Sequence, residues 1–167
     1  GTVLLNGNLV GANALVNASA NLTGPGTVTS NNVSLTAGND ITSVALAGLA
    51  AGNVDLTFTA GGSAQITSAN SVNLSSSSSV GNDLQLAVSG NLGLNSPVTA
   101  GNTIALNVTG DLDNAGGAPS FQANALSLRV GNTTGAPITT NVSQIAASSG
   151  GDLNLDQTSI TPIAVTS

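Results

Sequence analysis

Apolar residues return at a spacing of 20 through most of this chain: Leu46, Ile66, Leu86, Leu106 and Leu126, with Ala146 continuing the series. A second column holds Val44, Ala64, Leu84 and Ile104, a third Val54, Leu74 and Leu94, a fourth Val72, Leu92 and Leu112, and a fifth Val88, Val108 and Leu128. Glycine keeps the same clock at Gly61, Gly81 and Gly101, at Gly90 and Gly110, and at Gly131 and Gly151. Asn82 pairs in the same way with Asn102, and Asn91 with Asp111. A fixed period of this length marks a repeat architecture, in which one unit cannot bury its own apolar face and must stack on its neighbours.

Within each unit, apolar and other residues alternate, as in Leu84-Gln85-Leu86-Ala87-Val88 and Ile104-Ala105-Leu106-Asn107-Val108. Alternation with period two predicts a strand with one buried face. Gly-Asn or Gly-Asp precedes many of these strands, at Gly38-Asn39-Asp40, Gly52-Asn53, Gly81-Asn82-Asp83 and Gly101-Asn102-Thr103, and such pairs favour tight turns. Helix is disfavoured, because the chain is rich in β-branched residues, Gly, Asn and Ser and keeps no sustained stripe of period 3.6. If each unit makes one turn of a coil, successive turns pair as parallel strands about 4.8 Å apart and like residues stack on like. A β-sandwich would not enforce identical columns, and a propeller blade needs about 40 residues or more. The reading is therefore an all-β parallel β-helix of about eight coils, a single repeat domain over residues 1–167.

The period is cleanest from Val44 to Leu128. Val33-Ser34-Leu35 and Gly38-Asn39 suggest a coil with a small register shift. The run from Asp113 to Pro119 and the stretch Thr133 to Pro137 read as corner loops. Ser75 to Ser79 falls inside one coil and reads as a solvated turn or a serine ladder. Val44 to Ala51, where Ala and Leu crowd together, reads as a buried rung.

Composition narrows the function. Of the 167 residues, 40% are hydrophobic but only 1% are aromatic and 5% charged, so Asn, Ser, Thr and Gly must supply the polar surface. Arg129 is the only Lys or Arg, which removes the clustered cations that nucleic acids or anionic lipids require. No apolar run is long enough for a membrane helix, and no signal peptide is visible. Cys is absent, so disulfides and thiolate metal sites are excluded. The lack of Lys, Cys, Met, Trp and Tyr suits an exported, protease-resistant polymer.

Without His, Cys, Lys or Tyr, most catalytic constellations cannot be assembled. Carboxylate pairs remain. Asp111 and Asp113 are two apart and can share a side, and Asp152 and Asp156 flank Leu153-Asn154-Leu155. Such pairs suit a glycosidase or a calcium site, against which stands the commoner use of Asp to cap turns, and the latter is favoured. Gly150-Gly151-Asp152 shares part of a calcium nonapeptide repeat but does not recur in tandem. Asn-x-Ser/Thr sequons at Asn17, Asn21, Asn32, Asn73, Asn107, Asn132 and Asn141 are no more than the composition predicts. Thr27-Val28-Thr29 and Thr57-Phe58-Thr59 are pairs that could order water on a flat face, but they do not recur at 20. Phe58 and Phe121 read as core. No catalytic, cofactor or metal residue is expected.

The units Val33-Ser34-Leu35-Thr36-Ala37-Gly38-Asn39-Asp40-Ile41 and Val98-Thr99-Ala100-Gly101-Asn102-Thr103-Ile104-Ala105-Leu106 resemble the stalk repeats of filamentous-haemagglutinin-like large exoproteins, the adhesins of bacterial two-partner secretion. That resemblance covers nearly the whole chain. It implies a right-handed parallel β-helix, secretion to the bacterial cell surface, and a structural and adhesive role. The Asn-Pro-Asn motifs of that family's secretion domain do not occur; Asn95-Ser96-Pro97 is not one. Neither end carries an amphipathic cap, so the chain reads as a segment of a longer rod, or as a filament subunit stacked end to end through open coils. A polysaccharide-active β-helix enzyme is a third and poorer reading. The expected partners are flanking coils of the same chain or of neighbouring subunits, with no nucleic acid and no membrane insertion.

Overall fold

The computed structural model describes residues 1–114, 121–158 and 164–166. The chain winds as a parallel β-solenoid. The first coil holds β1 (Val3–Leu4), β2 (Leu9–Val10) and β3 (Asn13–Ala18), and the second β4 (Leu22–Thr23), β5 (Thr27–Thr29) and β6 (Asn32–Ala37). The third has two longer strands, β7 (Ile41–Ala47) and β8 (Val54–Ala60). Then come β9 (Ala64–Ser68), β10 (Val72–Leu74) and β11 (Ser78–Val80), followed by β12 (Leu84–Val88), β13 (Leu92–Leu94) and β14 (Val98–Ala100). The sixth coil holds β15 (Thr103–Val108), β16 (Leu112–Asp113) and β17 (Phe121–Gln122), and the seventh β18 (Ala125–Val130) and β19 (Ile138–Asn141). β20 (Gln144–Ser149), β21 (Leu155–Gln157) and β22 (Ala164–Thr166) complete the described chain. From β1 to β20 the chain makes seven turns along the stack β1-β4-β7-β9-β12-β15-β18-β20, and β22 stands on β20. A 3-10 turn at Leu49–Ala51 is the only helical element among the described residues.

Every strand pairing is parallel, and each places equivalent residues of successive coils side by side. Leu84, Leu86 and Val88 stand between Ala64, Ile66 and Ser68 on one side and Ile104, Leu106 and Val108 on the other. On a second face Val72 and Leu74 meet Leu92 and Leu94, and Leu92 meets Leu112. The inward residues form one continuous core, in which Leu22, Leu35, Leu56, Phe58, Leu74, Leu84 and Phe121 are fully buried. Both phenylalanines are core residues, as their sequence setting suggests. The glycine column is a column of close backbone approach. A Cβ added to Gly61, Gly81 or Gly101 would lie 2.0–2.1 Å from the carbonyl oxygen of Gly38, Gly61 or Gly81 respectively.

Several outer columns differ from the sequence expectation. The coil length is 20 only on average. Val3 faces Leu22 at a separation of 19, Ile41 faces Ala64 at 23, Thr103 faces Ala125 at 22, and Ala125 faces Gln144 at 19. Consequently Leu46 stacks on Ser68, and Val44 takes the place beside Ile66. Leu126 stacks on Ile104, Leu128 on Leu106 and Val130 on Val108. Val54 pairs with Val72 rather than Leu74. Gly150, not Gly151, approaches the Gly131 carbonyl. An even slip keeps the inward phase of a strand, so Leu46 and Leu126 remain buried although their neighbours change. An odd slip reverses it. Ala146 pairs with Ser127 on the outer side, and Ile145 occupies the core site on Leu126.

The third coil is where the cross-section changes. In the second coil a corner at Gly24-Pro25-Gly26 separates β4 from β5, and both strands pair with the single strand β7 above. Gly24 has φ of 131°, and a Cβ there would fall 2.3 Å from the Leu5 carbonyl oxygen, so only glycine fits. In β7 this corner survives as a bulge between Ile41 and Val44, with Ser43 at φ 57°. In β9 it is gone, with Gln65 alone between the residues facing Ile41 and Val44. On the opposite side β8 is straight over β6 but pairs above with both β10 and β11, between which Ser75, Ser76 and Ser77 make a new exposed corner. Ser75–Ser77 are thus a turn inside one coil, whereas Ser78 and Ser79 belong to β11, Ser78 buried and Ser79 stacked between Thr59 and Thr99. Val44 to Ala51 is a rung only as far as Ala47; the 3-10 turn follows, with Ala50 and Ala51 at φ 50° and 57°. Thr133 to Pro137 is a corner, with Thr134 bridged to Leu112. The expected loop from Asp113 to Pro119 falls largely outside the described residues.

Leu86 is buried between Ile66 and Leu106, whereas Gln85 points outward and is exposed. Leu86→Ala is expected to cost about 2–5 kcal/mol, because coils on both sides prevent collapse around the hole. Gln85→Ala is expected to change stability by under about 0.5 kcal/mol. Denaturant unfolding of the two variants checks the contrast, and equal tolerance would refute the register.

Candidate functional site

The chemistry-bearing side chains of this chain are its Asp and Asn residues, and the fold gathers most of them at corners. There they accept hydrogen bonds from backbone N–H groups of the next coil. Asn21 Oδ1 accepts from the Asp40 N–H at 3.3 Å, and Asp40 Oδ1 from the Ser63 N–H at 2.8 Å. Ser63 Oγ accepts from the Asp83 N–H at 3.3 Å, and Asp83 Oδ1 from the Thr103 N–H at 3.1 Å and from Asn102 Nδ2 at 2.8 Å. A second corner repeats the scheme: Ser71 Oγ accepts from the Asn91 N–H at 2.9 Å, and Asn91 Oδ1 from the Asp111 N–H at 2.9 Å. Asp111 Oδ1 then accepts from the Thr133 N–H and hydroxyl at 3.4 and 3.3 Å. At each corner the strand direction changes and the backbone ladder is interrupted. The side chain supplies the acceptor that the ladder would otherwise provide.

Each carboxylate considered from the sequence is placed by this scheme or lies apart. Asp111 and Asp113 flank buried Leu112, so both face outward as their spacing suggests. Asp111 is engaged by Thr133, while Asp113 pairs in the sheet with Gly93. Asp152 is exposed, and its backbone carbonyl accepts from the Thr134 N–H at 2.9 Å. Asp156 is exposed on β21 beside Thr139. Among the described residues no three carboxylates come together in a way that could hold a metal ion. Of the sequon residues, Asn21 caps Asp40, Asn32 Nδ2 donates to Asn13 Oδ1 at 3.0 Å, and Asn73 Nδ2 donates to Asp55 Oδ1 at 3.0 Å. Asn17, Asn107, Asn132 and Asn141 are exposed. Thr27 and Thr29 stack on Ala45 and Ala47, so the first Thr-x-Thr pair is not extended. Thr57 and Thr59 stand on Ser34 and Thr36, and Thr59 is followed by Ser79 and Thr99.

Among the described residues the outer faces carry shallow depressions. One of about 380 Å³ lies across β9, β12, β15 and β18, with Ala87 and Ala105 as its floor and Gln65, Gln85, Asn107 and Arg129 around it. Gln65 Nε2 donates to Gln85 Oε1 at 3.3 Å, continuing the pairing of like side chains on the outside. This surface offers amide and hydroxyl hydrogen bonds and one guanidinium. It brings together no nucleophile with a base. Ser63 and Ser71, with Asn31 and Asn70 at the Gly48–Gly52 loop, were not singled out from the sequence. Their signal is the recurrence of Ser, Asn or Asp just before a strand, which becomes visible only when the unequal coils are aligned.

Asp83→Ala removes the acceptor for both Asn102 and Thr103 and is expected to cost about 1–2 kcal/mol. Asp156→Ala, at an exposed position, is expected to stay within about 0.5 kcal/mol. Denaturant midpoints of the two variants measure the difference. Melting temperature is expected to be the same with chelator and with added calcium, and a rise of several degrees with calcium would show that Asp111, Asp113 or Asp152 binds it. Comparison of the chain with family models, with curated proteins and with solved structures finds no match in any of the three.

Proposed function

We propose that this chain is a structural and adhesive rod segment of a secreted bacterial surface exoprotein, of the filamentous-haemagglutinin-like kind that its repeats resemble, and that it performs no catalysis. The observation that carries this reading is the use made of the polar side chains. In an enzyme, groups that react are held in a cleft with acid, base or nucleophile in reach of one another. Here Asp40, Asp83 and Asp111 are engaged in joining one coil to the next. The outer faces present repeating Gln, Asn, Ser and Thr, which suit extended contact rather than enclosure of a small substrate. With the core continuous from coil to coil, length is the property such a chain supplies.

A second reading, a subunit stacking end to end into a filament, is favoured by one observation. Among the described residues, four of the five exposed large apolar side chains, Leu4, Leu9, Val10 and Leu15, lie in the first coil and the fifth, Leu153, lies just before β21, an apolar surface that a neighbouring coil would cover.

Electron microscopy of the purified chain separates the two readings. A rod segment should give particles about 35 Å long, seven turns at the parallel-strand spacing. Filaments many times that length would favour the subunit. Beads coated with the rod should adhere to host-cell or surface matrices above uncoated beads. Release of reducing ends from acidic glycans would overturn the non-catalytic reading.

A further inference from the structure

Charge is divided unequally between the sides of the rod. The strands β9, β12, β15, β18 and β20 contain no Asp, whereas the second sheet carries Asp55 on β8, Asp113 on β16 and Asp156 on β21. Asp40, Asp83 and Asp111 sit at corners, where backbone N–H groups of the next coil engage them. Arg129 is the one cationic side chain, and it lies on β18, on the side without carboxylates. It is exposed, and its stacked neighbours in the sheet are Asn107 and Ser148, neither of which can neutralise it. A chain of net charge −6 thus keeps one flat side whose only charge is positive.

The depression of about 380 Å³ lies on this side. Its apolar floor exists because the small residues Ala87 and Ala105 occupy diagonal outward positions on β12 and β15. Its rim is polar. Gln65 Oε1 accepts from the Ser43 hydroxyl at 3.1 Å, and Gln65 Nε2 donates to Gln85 Oε1 at 3.3 Å. Ala105 is next in that column, so the relay ends at Gln85 and leaves its amide nitrogen as a donor at the rim. Asn107 stands between Ala87 and Arg129 and adds a second amide. Donors from Gln85, Asn107 and Arg129 therefore surround a small apolar floor.

We propose that this depression binds a sugar bearing a single carboxylate, displayed at the end of an otherwise neutral glycan, with Arg129 as the carboxylate's partner. The planar guanidinium matches a carboxylate through two parallel hydrogen bonds. The C–H face of the sugar ring rests on Ala87 and Ala105, and its hydroxyls meet the Gln85 and Asn107 amides, which both donate and accept. An extended peptide fits less well. Both edges of β12 and of β15 are already paired, so no strand can be added there. A polyanion is disfavoured because one local positive charge is set against the net negative charge of the whole chain. The inference rests on the adhesive reading of the rod and names the side that does the holding.

The test titrates the isotopically labelled full chain with methyl glucuronide and follows backbone and side-chain N–H signals by NMR. Methyl glucoside, which has a hydroxymethyl group in place of the carboxylate, is titrated in parallel. The glucuronide is expected to shift the signals of Gln85, Ala87, Ala105 and Asn107, and to bind severalfold more tightly than the glucoside. Arg129→Gln, at an exposed position, is expected to bring the glucuronide down to the affinity of the glucoside, and Ala105→Phe, which fills the floor, to abolish binding of both. Unchanged denaturant midpoints show that the variants are folded. Absence of shifts, or shifts confined to other sides of the rod, would overturn the site. Equal binding of the two sugars, or undiminished glucuronide binding by Arg129→Gln, would overturn the role of the charge. Dextran sulfate is expected not to displace the glucuronide, and displacement would overturn the preference for a single charge. Beads that adhere although the chain on them does not bind glucuronide would overturn this site and leave the adhesive reading standing. Glucuronide binding by a chain whose beads do not adhere would uphold the site and overturn the adhesive reading.

Discussion

A backbone that returns alongside itself once per coil can pair each strand's N–H and C=O groups with the coils above and below, and the rest of this molecule is organised to keep that pairing in phase. Parallel strands have evenly spaced hydrogen bonds, so any coil can serve as the template for the next. The apolar columns lie inside this ladder. Leu84, Leu86 and Val88 each pack on the equivalent residues of two neighbouring coils, so no coil owns its share of the core. The glycine column Gly38, Gly61, Gly81 and Gly101 has the same origin, since backbone passes over backbone there at a distance that leaves no space for a side chain.

Corners are where the ladder fails, and their repair explains the composition. A side chain at a corner must be short, must accept a hydrogen bond, and must recur with the coil. Asn, Asp and Ser meet those conditions, and they form the relays from Asn21 to Thr103 and from Ser71 to Thr133. Buried hydroxyls serve as donors instead: Ser30 Oγ is within reach of the Ala12 carbonyl one coil below and of the Asn32 carbonyl two residues on, and Ser68 Oγ donates to the Asn70 carbonyl of its own coil. Among the described residues no buried side-chain polar atom is left without a partner. A chain with so little charge can therefore be well ordered, because its uncharged polar groups are bonded between coils.

The solenoid was legible because strand alternation and a repeat near 20 residues are both carried by side-chain type. Coil membership was legible to within two residues, and the error has one cause. That cause is unequal coil length: steps are lengthened at the Ser43 bulge, at Gly48–Asn53 and from Val98 to Phe121, and shortened from Val54 to Val72 and from Ala125 to Gln144, and a mean period conceals both. Slips of two are invisible to burial, which is why Leu46 and Leu126 were placed on the right face beside the wrong neighbours. The 19-residue step from Ala125 to Gln144 is the informative failure, because it put Ala146 where Ile145 belongs. The corner carboxylates were legible as turn residues. Their specific acceptors and donors were not, since Asp83 and Thr103 become neighbours only after coil lengths are known.

The rod does not have the same outline along its length. Below the third coil the long straight strands are β3 and β6; above it they are β9, β12, β15, β18 and β20, on the other side of the intervening corner. The corner at Gly24-Pro25-Gly26 closes through the Ser43 bulge, and the corner at Ser75–Ser77 opens opposite it. A partner tracking along the flat side of the lower coils would meet an edge where the upper coils begin, and would have to cross to another side to remain on a flat surface. The third coil thus keeps one unbroken core while moving the flat side from one flank of the rod to the other, so a rigid partner laid along either flat side would reach the lower coils or the upper ones but not both.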